Sequence, residues 1–294
     1  MKKVAILGIE NSHAWNFAAE LAGIDGKRKY NDVELIGFYG NLETEEGRIG
    51  RDKLAERSTC TKFAEHYNDF LEEADAVMIT ARHGGNHLKY AKAYLEKGIP
   101  VWIDKPICAS VEDVLELVAL AKMYNAPIWG GSSVIFSKEI ETMAAYREEN
   151  KDTVTGGHVT APINMVNEWG NFWFYAQHLI QMMTTVFGND VRSVSANSGE
   201  NYVQALYHYD DFTISAYFGA GYTMTVYNGN YKAEASNVSL AGCHVAELES
   251  FYEVMKTGKG VTSYKDFITP VFIIDATIKA FEQKCEVEIN VPEV

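Results

Sequence analysis

Positive charge is scarce in this chain. Twenty-six Lys and Arg stand against 40 Asp and Glu, a formal net charge of −14 at pH 7. That balance argues against nucleic acid or an acidic membrane surface as the main partner. It does not exclude a small phosphate-bearing ligand, which local amides and single lysines can hold against the net field. Cysteine is scarce as well. Cys60, Cys108, Cys243 and Cys285 show no Cys-x-x-Cys spacing and no clustering, which argues against a disulfide framework and predicts free thiols in a reducing cytoplasm. No stretch is apolar for long enough to span a bilayer. The run in "MKKVAILGIE" stops at Glu10, too early for a secretory core, and predicts a strand. Internal repeats and low-complexity linkers are also missing.

Glycine is missing where it would be most informative. The opening "MKKVAILGIENSHAWNFAAELAGI" reads as strand, turn and helix, the place for a Gly-x-Gly-x-x-Gly phosphate cradle. Gly8 is present, but Glu10 and His13 stand where the second and third glycines belong. Those glycines would give close approach to a pyrophosphate and close helix–strand contact. Glu10 instead brings a negative charge, which costs affinity unless its side chain turns to solvent. Asn11, Ser12 and His13 bring donors to a helix N-terminus, where exposed amides already favour anions. At the end of the second strand, "ELIGFYGN" places Tyr39, Gly40 and Asn41 with no acid for the ribose hydroxyls and no adjacent base for a 2′-phosphate; Arg48 and Arg51 come later. Gly8, Glu10, Asn11, Ser12, His13, Tyr39 and Asn41 are thus the candidate cofactor residues of this half, with NAD and NADP both open.

What is present is a regular alternation. "DVELIGFYG", "ADAVMIT", "IPVWIDK" and "APIWGGSS" read as strands, and amphipathic helices fall between them. Crossovers of this length specify a parallel, doubly wound sheet with ligands beyond the carboxyl ends of its strands. After Ser133 the pattern changes to alternating runs such as "NYVQALYHY", "FTISAYFG" and "GYTMTVYNG", separated by Asp-Asp, Gly and Asn-Gly. The expected architecture is α/β: an N-terminal doubly wound Rossmann domain over 1–127 and a C-terminal α/β domain over 128–294. The second domain carries a large, mostly antiparallel open sheet. Two helices close the chain, with Pro270 marking the start of the last one or a kink in it. Aromatic residues on the second sheet predict homo-oligomer formation through its open face.

The stretch "VWIDKPICAS" puts Lys105 at the carboxyl end of a parallel strand, with Asp104 before it and Pro106 after it. Together with "ADAVMITARHGGNHLKYAKAYLEKG" and the tail "FYEVMKTGKGVTSYKDFITPVFIIDATIKAFEQKCEVEI", it resembles the inositol dehydrogenase/glucose–fructose oxidoreductase family over essentially the whole chain. In that family a His opens the helix after a small-residue turn, and a Glu-Lys-Pro ends the next strand. His87 and Asp104-Lys105-Pro106 match those positions. The resemblance implies cofactor contacts from Thr80, His83, His87 and Asp104, and a Lys105 that touches the reacting hydroxyl. It also implies a His on a second-domain helix, paired one turn away with an Asp. In "WGNFWFYAQHLIQMM" His178 takes the His position, Ala176 the last Gly, and Phe174 stands in place of the Asp. Tyr175 points about 100° away around a helix and is no substitute.

The function this implies is an NAD(P)-dependent oxidoreductase that removes a hydride from a sugar, polyol or related small hydroxy compound, with Lys105 and His178 catalytic. The alternative is a non-catalytic nucleotide- or sugar-binding member of the family that has lost the Asp. Redox-assisted elimination or isomerisation in the same crevice is a third reading. His158, Asn164, Glu168 and Trp169 are further candidates for lining a polyol pocket. His83 and His87 have no carboxylate or cysteine at ligand spacing, so no metal is expected.

Overall fold

A computed structural model describes residues 1–24 and 28–294. The chain runs β1 (Lys2–Leu7), α1 (Ser12–Ala22), β2 (Val33–Tyr39), α2 (Glu45–Arg57), β3 (Ala76–Ile79), α3 (His87–Glu96), β4 (Val101–Asp104), α4 (Val111–Met123) and β5 (Ile128–Gly131). It continues through α5 (Lys138–Glu149), β6 (Val154–Ala161), α6 (Phe172–Phe187), β7 (Ser193–Ser198), β8 (Val203–His208), β9 (Thr213–Phe218), β10 (Thr223–Asn228), β11 (Tyr231–Ala235), α7 (Cys243–Thr257), α8 (Tyr264–Gln283) and β12 (Val287–Glu288).

Two units emerge. The first comprises Met1–Cys108, Glu112–Gly131 and His244–Thr262; the second comprises Ala109–Val111, Ser132–Cys243 and Ser263–Val294. A single cut at 127/128 therefore does not follow the contacts. β5 hydrogen-bonds to β4 and completes the first sheet. Leu248, Phe251, Val254 and Met255 of α7 are buried in one core with Val4, Ile6, Phe17 and Phe38. The amide of Val261 then donates to the Ile128 carbonyl at 2.9 Å. Apolar complementarity, which sequence order does not reveal, returns this helix to the first unit.

In the first unit the sheet order is β2-β1-β3-β4-β5, and every pairing is parallel. β3 and β4 are buried along their whole lengths, as expected of strands covered on both faces. The order reverses between β1 and β3, so the ligand crevice lies beyond the carboxyl ends of those two strands. In the second unit the order is β11-β10-β6-β9-β8-β7-β12, with β6–β9 the one parallel pairing among its described strands. Leu179, Met182 and Met183 of α6 and Ile273 and Ile274 of α8 share a core with Val159, Tyr207, Ile214, Phe218 and Met224. The alternate strand positions Gln204, Leu206 and Tyr227 are exposed. Pro270 lies inside α8, whose start is set by the Ser263 hydroxyl accepting from the Asp266 amide at 3.1 Å.

Candidate functional site

The turn after β1 and the end of β4 are joined at one carboxylate. Asp104 has no exposed surface. The Asn11 side-chain amide donates to its Oδ2 at 2.6 Å, the His13 ring lies 3.0 Å from its Oδ1, and the Lys105 backbone amide donates to Oδ1 at 2.7 Å. Burial alone would push the Asp104 pKa up, but the His13 and Lys105 charges and hydrogen bonds outweigh it and hold the group below its ordinary value. Asn11 also caps α1, its Oδ1 accepting from the His13 amide at 3.0 Å. The polar side chains of Asn11 and His13 therefore build the crevice wall. Ser12, at the first turn of α1, is the exposed member of the three.

Glu10 turns back rather than out. Its Oε1 accepts from the Arg82 amide at 2.9 Å, which fixes the loop after β3 and spends the carboxylate on a backbone donor. Gly8 adopts φ +98 and its carbonyl accepts from the buried Thr80 hydroxyl. His87 is fully buried between two carbonyls, Nε2 at 2.8 Å from Ala81 and Nδ1 at 3.1 Å from Ile107. Burial lowers its pKa against the pull of those carbonyls and of the Asp104 and Glu10 charges. Thr80 and His87 thus brace the crevice from inside. His83 caps the short turn Gly84–Asn86 through Nδ1, which accepts from the Gly85 amide at 2.9 Å. At the end of β2, half-buried Tyr39 meets the edges of Tyr67 and Tyr90 at centroid separations of 5.9 and 5.4 Å. Asn41 is exposed beside them, its Oδ1 accepting from the Glu43 amide at 3.0 Å.

Lys105 follows Asp104 with only 7% of its surface exposed. Burial lowers its pKa, with the Arg82 charge acting in the same sense and the Asp104 and Glu247 charges opposing them. Glu247, on α7, was not legible as a site residue. It is completely buried, and burial followed by the Asp104 charge pushes its pKa well up, with Lys105 opposing. A glutamate at a core-facing position of an amphipathic helix was the available signal.

In the second unit His178 is buried on α6, and its Nδ1 shares a 2.6 Å hydrogen bond with the Ser132 hydroxyl. Gln181, nearly one turn further along α6, accepts from the Ser132 amide at 2.5 Å and from Gln177 Nε2 at 2.9 Å. Ser132 is thereby fixed at both backbone and side chain. It is the second residue that sequence reading missed; "WGGSS" reads only as a strand end. Phe174 is buried against Trp169, with centroids 4.9 Å apart. Tyr175 and Tyr222 border the His178 ring at 5.6 and 5.9 Å. His158 faces Ser215 across the sheet at 2.7 Å. Asn164 and Glu168 are exposed on the loop before α6.

The first unit suits a dinucleotide. Its sheet order places the switch point beside Gly8, Glu10 is drawn off the turn, and Ser12 is left at the start of α1. Such a sheet, with its switch point between β1 and β3, is the arrangement of dinucleotide-binding folds. Residues 2–131 match the model of the Gfo/Idh/MocA family, described as an oxidoreductase family with an NAD-binding Rossmann fold. No curated protein matches the chain in sequence. Among solved structures, the scyllo-inositol dehydrogenase of Lactobacillus casei with bound NAD(H) and scyllo-inositol is 16% identical, with 98% of this chain and 99% of that one covered at a TM-score of 0.79. The myo-inositol dehydrogenase of the same organism, in complex with NAD(H) and myo-inositol, is 13% identical, covering 100% and 98% at 0.80. A probable dehydrogenase from Thermotoga maritima is 16% identical, covering 98% of each chain at 0.80. The likeness is one of fold and extends through both units.

Proposed function

We propose that this protein is an NAD-dependent oxidoreductase acting on a CH–OH group of a polyol, sugar or related hydroxy compound. The observation that carries this reading is Lys105, a buried lysine anchored through Asp104 at the crevice of an NAD-binding family fold. Two neighbours of the same fold bind NAD(H) together with an inositol. Bound at the crevice, the nicotinamide supplies the hydride acceptor. Ser12 and the first amides of α1 hold the pyrophosphate, Tyr39 and Asn41 border the adenosine end, and His83 lies on the loop after β3. Gly8, Glu10, Asn11, His13, Thr80, His87 and Asp104 act by shaping the crevice. Lys105 orients and polarises the substrate hydroxyl, and His178 takes its proton. Ser132 gives His178 the orienting partner that Phe174 cannot, which favours catalysis over binding alone. The protein is proposed to act in the cytoplasm, as a homo-oligomer associated through the open face of the second sheet. Among the described residues, no helix is long and apolar enough to cross a membrane.

Calorimetry with NADH and NADPH tests the cofactor. Binding of NADH well below millimolar is expected, and no binding of either at millimolar concentration ends this reading. With a panel of inositols and sugar alcohols, Lys105→Ala is expected to lower kcat at least about 100-fold, the range for losing a group that handles the reacting proton. Turnover unchanged by that substitution removes Lys105 from the mechanism. Ser132→Ala should lower kcat about tenfold with little change in KM, equivalent to one hydrogen bond felt in the transition state. An unchanged kcat would show that His178 needs no such partner.

A further inference from the structure

Two glutamines interrupt the apolar packing of α6. That helix buries Leu179, Ile180, Met182 and Met183 in the core of the second unit. Gln177 among them has 0% exposure, and Gln181 is half-buried. Residues four apart lie one above the other on a helix, and Gln177 Nε2 donates to Gln181 Oε1 at 2.9 Å. The same oxygen accepts from the Ser132 amide at 2.5 Å. A backbone N–H can only donate, so it decides which end of the Gln181 amide faces Ser132, and with it which end of Gln177 faces Gln181. Providing one backbone amide with an acceptor requires one glutamine. The second, completely buried, bonds to the first at its acceptor oxygen, and an apolar side chain there would avoid desolvating an amide.

The same helix holds Ser132 at another point. Its hydroxyl meets His178 Nδ1 at 2.6 Å, and His178 lies three residues before Gln181, on a neighbouring position of the same face. Ser132 Oγ also accepts from the Val134 amide at 3.3 Å, inside the short turn Ser133–Phe136. Val134 is buried in the core that contains Leu179 and Met182. All of these residues belong to the second unit. One contact would leave Ser132 free to swing about it. Contacts to both its amide and its hydroxyl, from two side chains of one helix, remove that freedom and fix the oxygen against which the imidazole rests.

We propose that Gln181 is a positioning residue for His178, acting through Ser132, with Gln177 holding Gln181 in place. This rests on His178 being the group that takes the substrate proton. For Nε2 to accept that proton, the neutral ring must carry its own on Nδ1. The Ser132 Oγ has lone pairs for both the Val134 amide and that Nδ1–H. A carboxylate at position 174 would hold the ring directly, but Phe174 stands there. The task passes to a hydroxyl, which aims the ring only if its own backbone is fixed. Gln181 fixes it.

The test is 15N NMR of the full chain with ring-labelled histidine, the His178 signals being assigned by their loss in His178→Gln. At about pH 8.5, well above the ordinary histidine pKa, the unsubstituted protein should show the Nδ1–H tautomer of His178 enriched at least about fivefold over free histidine, the equivalent of one hydrogen bond. A ratio within about twofold of free histidine, or shifted the other way, overturns the proposal without any variant having to fold. Gln181→Met should remove at least about half of the enrichment. In the Ser132→Ala background the same substitution should change the ratio by less than about 1.5-fold, because its route to the ring is gone. A Met effect that persists without the hydroxyl, or none with it, is equally fatal. In polyol turnover, Gln181→Met should lower kcat about three- to tenfold with KM within about twofold; a loss confined to KM contradicts a positioning role. The spectra need neither nucleotide nor substrate, so their failure is distinct from failure of the dehydrogenase reading, which appears as absent NADH binding.

Discussion

Replacing Asp104 with Leu is expected to lower the unfolding free energy by about 3–5 kcal/mol, because it leaves the partners of a buried charge without their acceptor. The Asn11 amide, the His13 ring and the Lys105 backbone amide all converge on that carboxylate. Asp104→Asn should cost less, since an amide oxygen can still accept from part of this set. The pH dependence supplies an internal check. The folded pKa of Asp104 lies below its ordinary value, so its stabilising contribution is complete above about pH 4 and is lost as pH falls through the lower folded value. The Leu variant should lack this part of the acid slope. Urea unfolding followed by circular dichroism, at neutral pH and then stepwise into acid, reads both effects. A loss under about 1 kcal/mol at neutral pH would mean that the donors find water instead.

The sequence made the alternation of β1 to β5 legible, and with it the parallel sheet and the crevice, because fully buried strands read as short apolar runs. Lys105 was legible through its place after β4. The partners of these residues were not, for a physical reason. Asn11 and Asp104 are 93 residues apart, and nothing in local periodicity says which buried carboxylate a turn amide will find. Asn11, Ser12 and His13 therefore read as three equivalent phosphate donors, whereas folding commits the side chains of two of them to Asp104. Ser132 was hidden in the same way, since its value comes from a histidine 46 positions later.

Glycine placement shows a related limit. The sequence suggested glycines lost from the turn after β1, but Gly47 and Gly50 on α2 allow a different close approach. A Cβ on Gly47 would lie 1.8 Å from the Asn41 carbonyl oxygen, and one on Gly50 would lie 2.0 Å from that of Ile9. The second helix thus sits against the turn by means of glycines that read, in sequence, only as poor helix formers. Ile9, which follows Gly8, is buried beneath them. The turn is well specified, by contacts that a motif template does not contain.

Gly8→Ala is expected to be the most damaging change in that turn, abolishing folding or costing more than about 4 kcal/mol, since backbone strain and a backbone collision add together. At φ +98 a side chain is strained in any surroundings. Here the added Cβ would also stand 2.2 Å from the Ala81 nitrogen and 2.4 Å from its Cα. Neither atom can retreat easily, because Leu7 pairs with Ile79 in the parallel ladder just before it, and the Thr80 hydroxyl binds the Gly8 carbonyl. Gly258 provides the comparison, with φ +67 and nothing within 4 Å of an added Cβ. Gly258→Ala should therefore show strain alone, about 1–2 kcal/mol. Calorimetric melting of both variants separates the two contributions. Equal losses would show that the β1 and β3 turns can move apart, and that close approach at Gly8 does not fix the crevice.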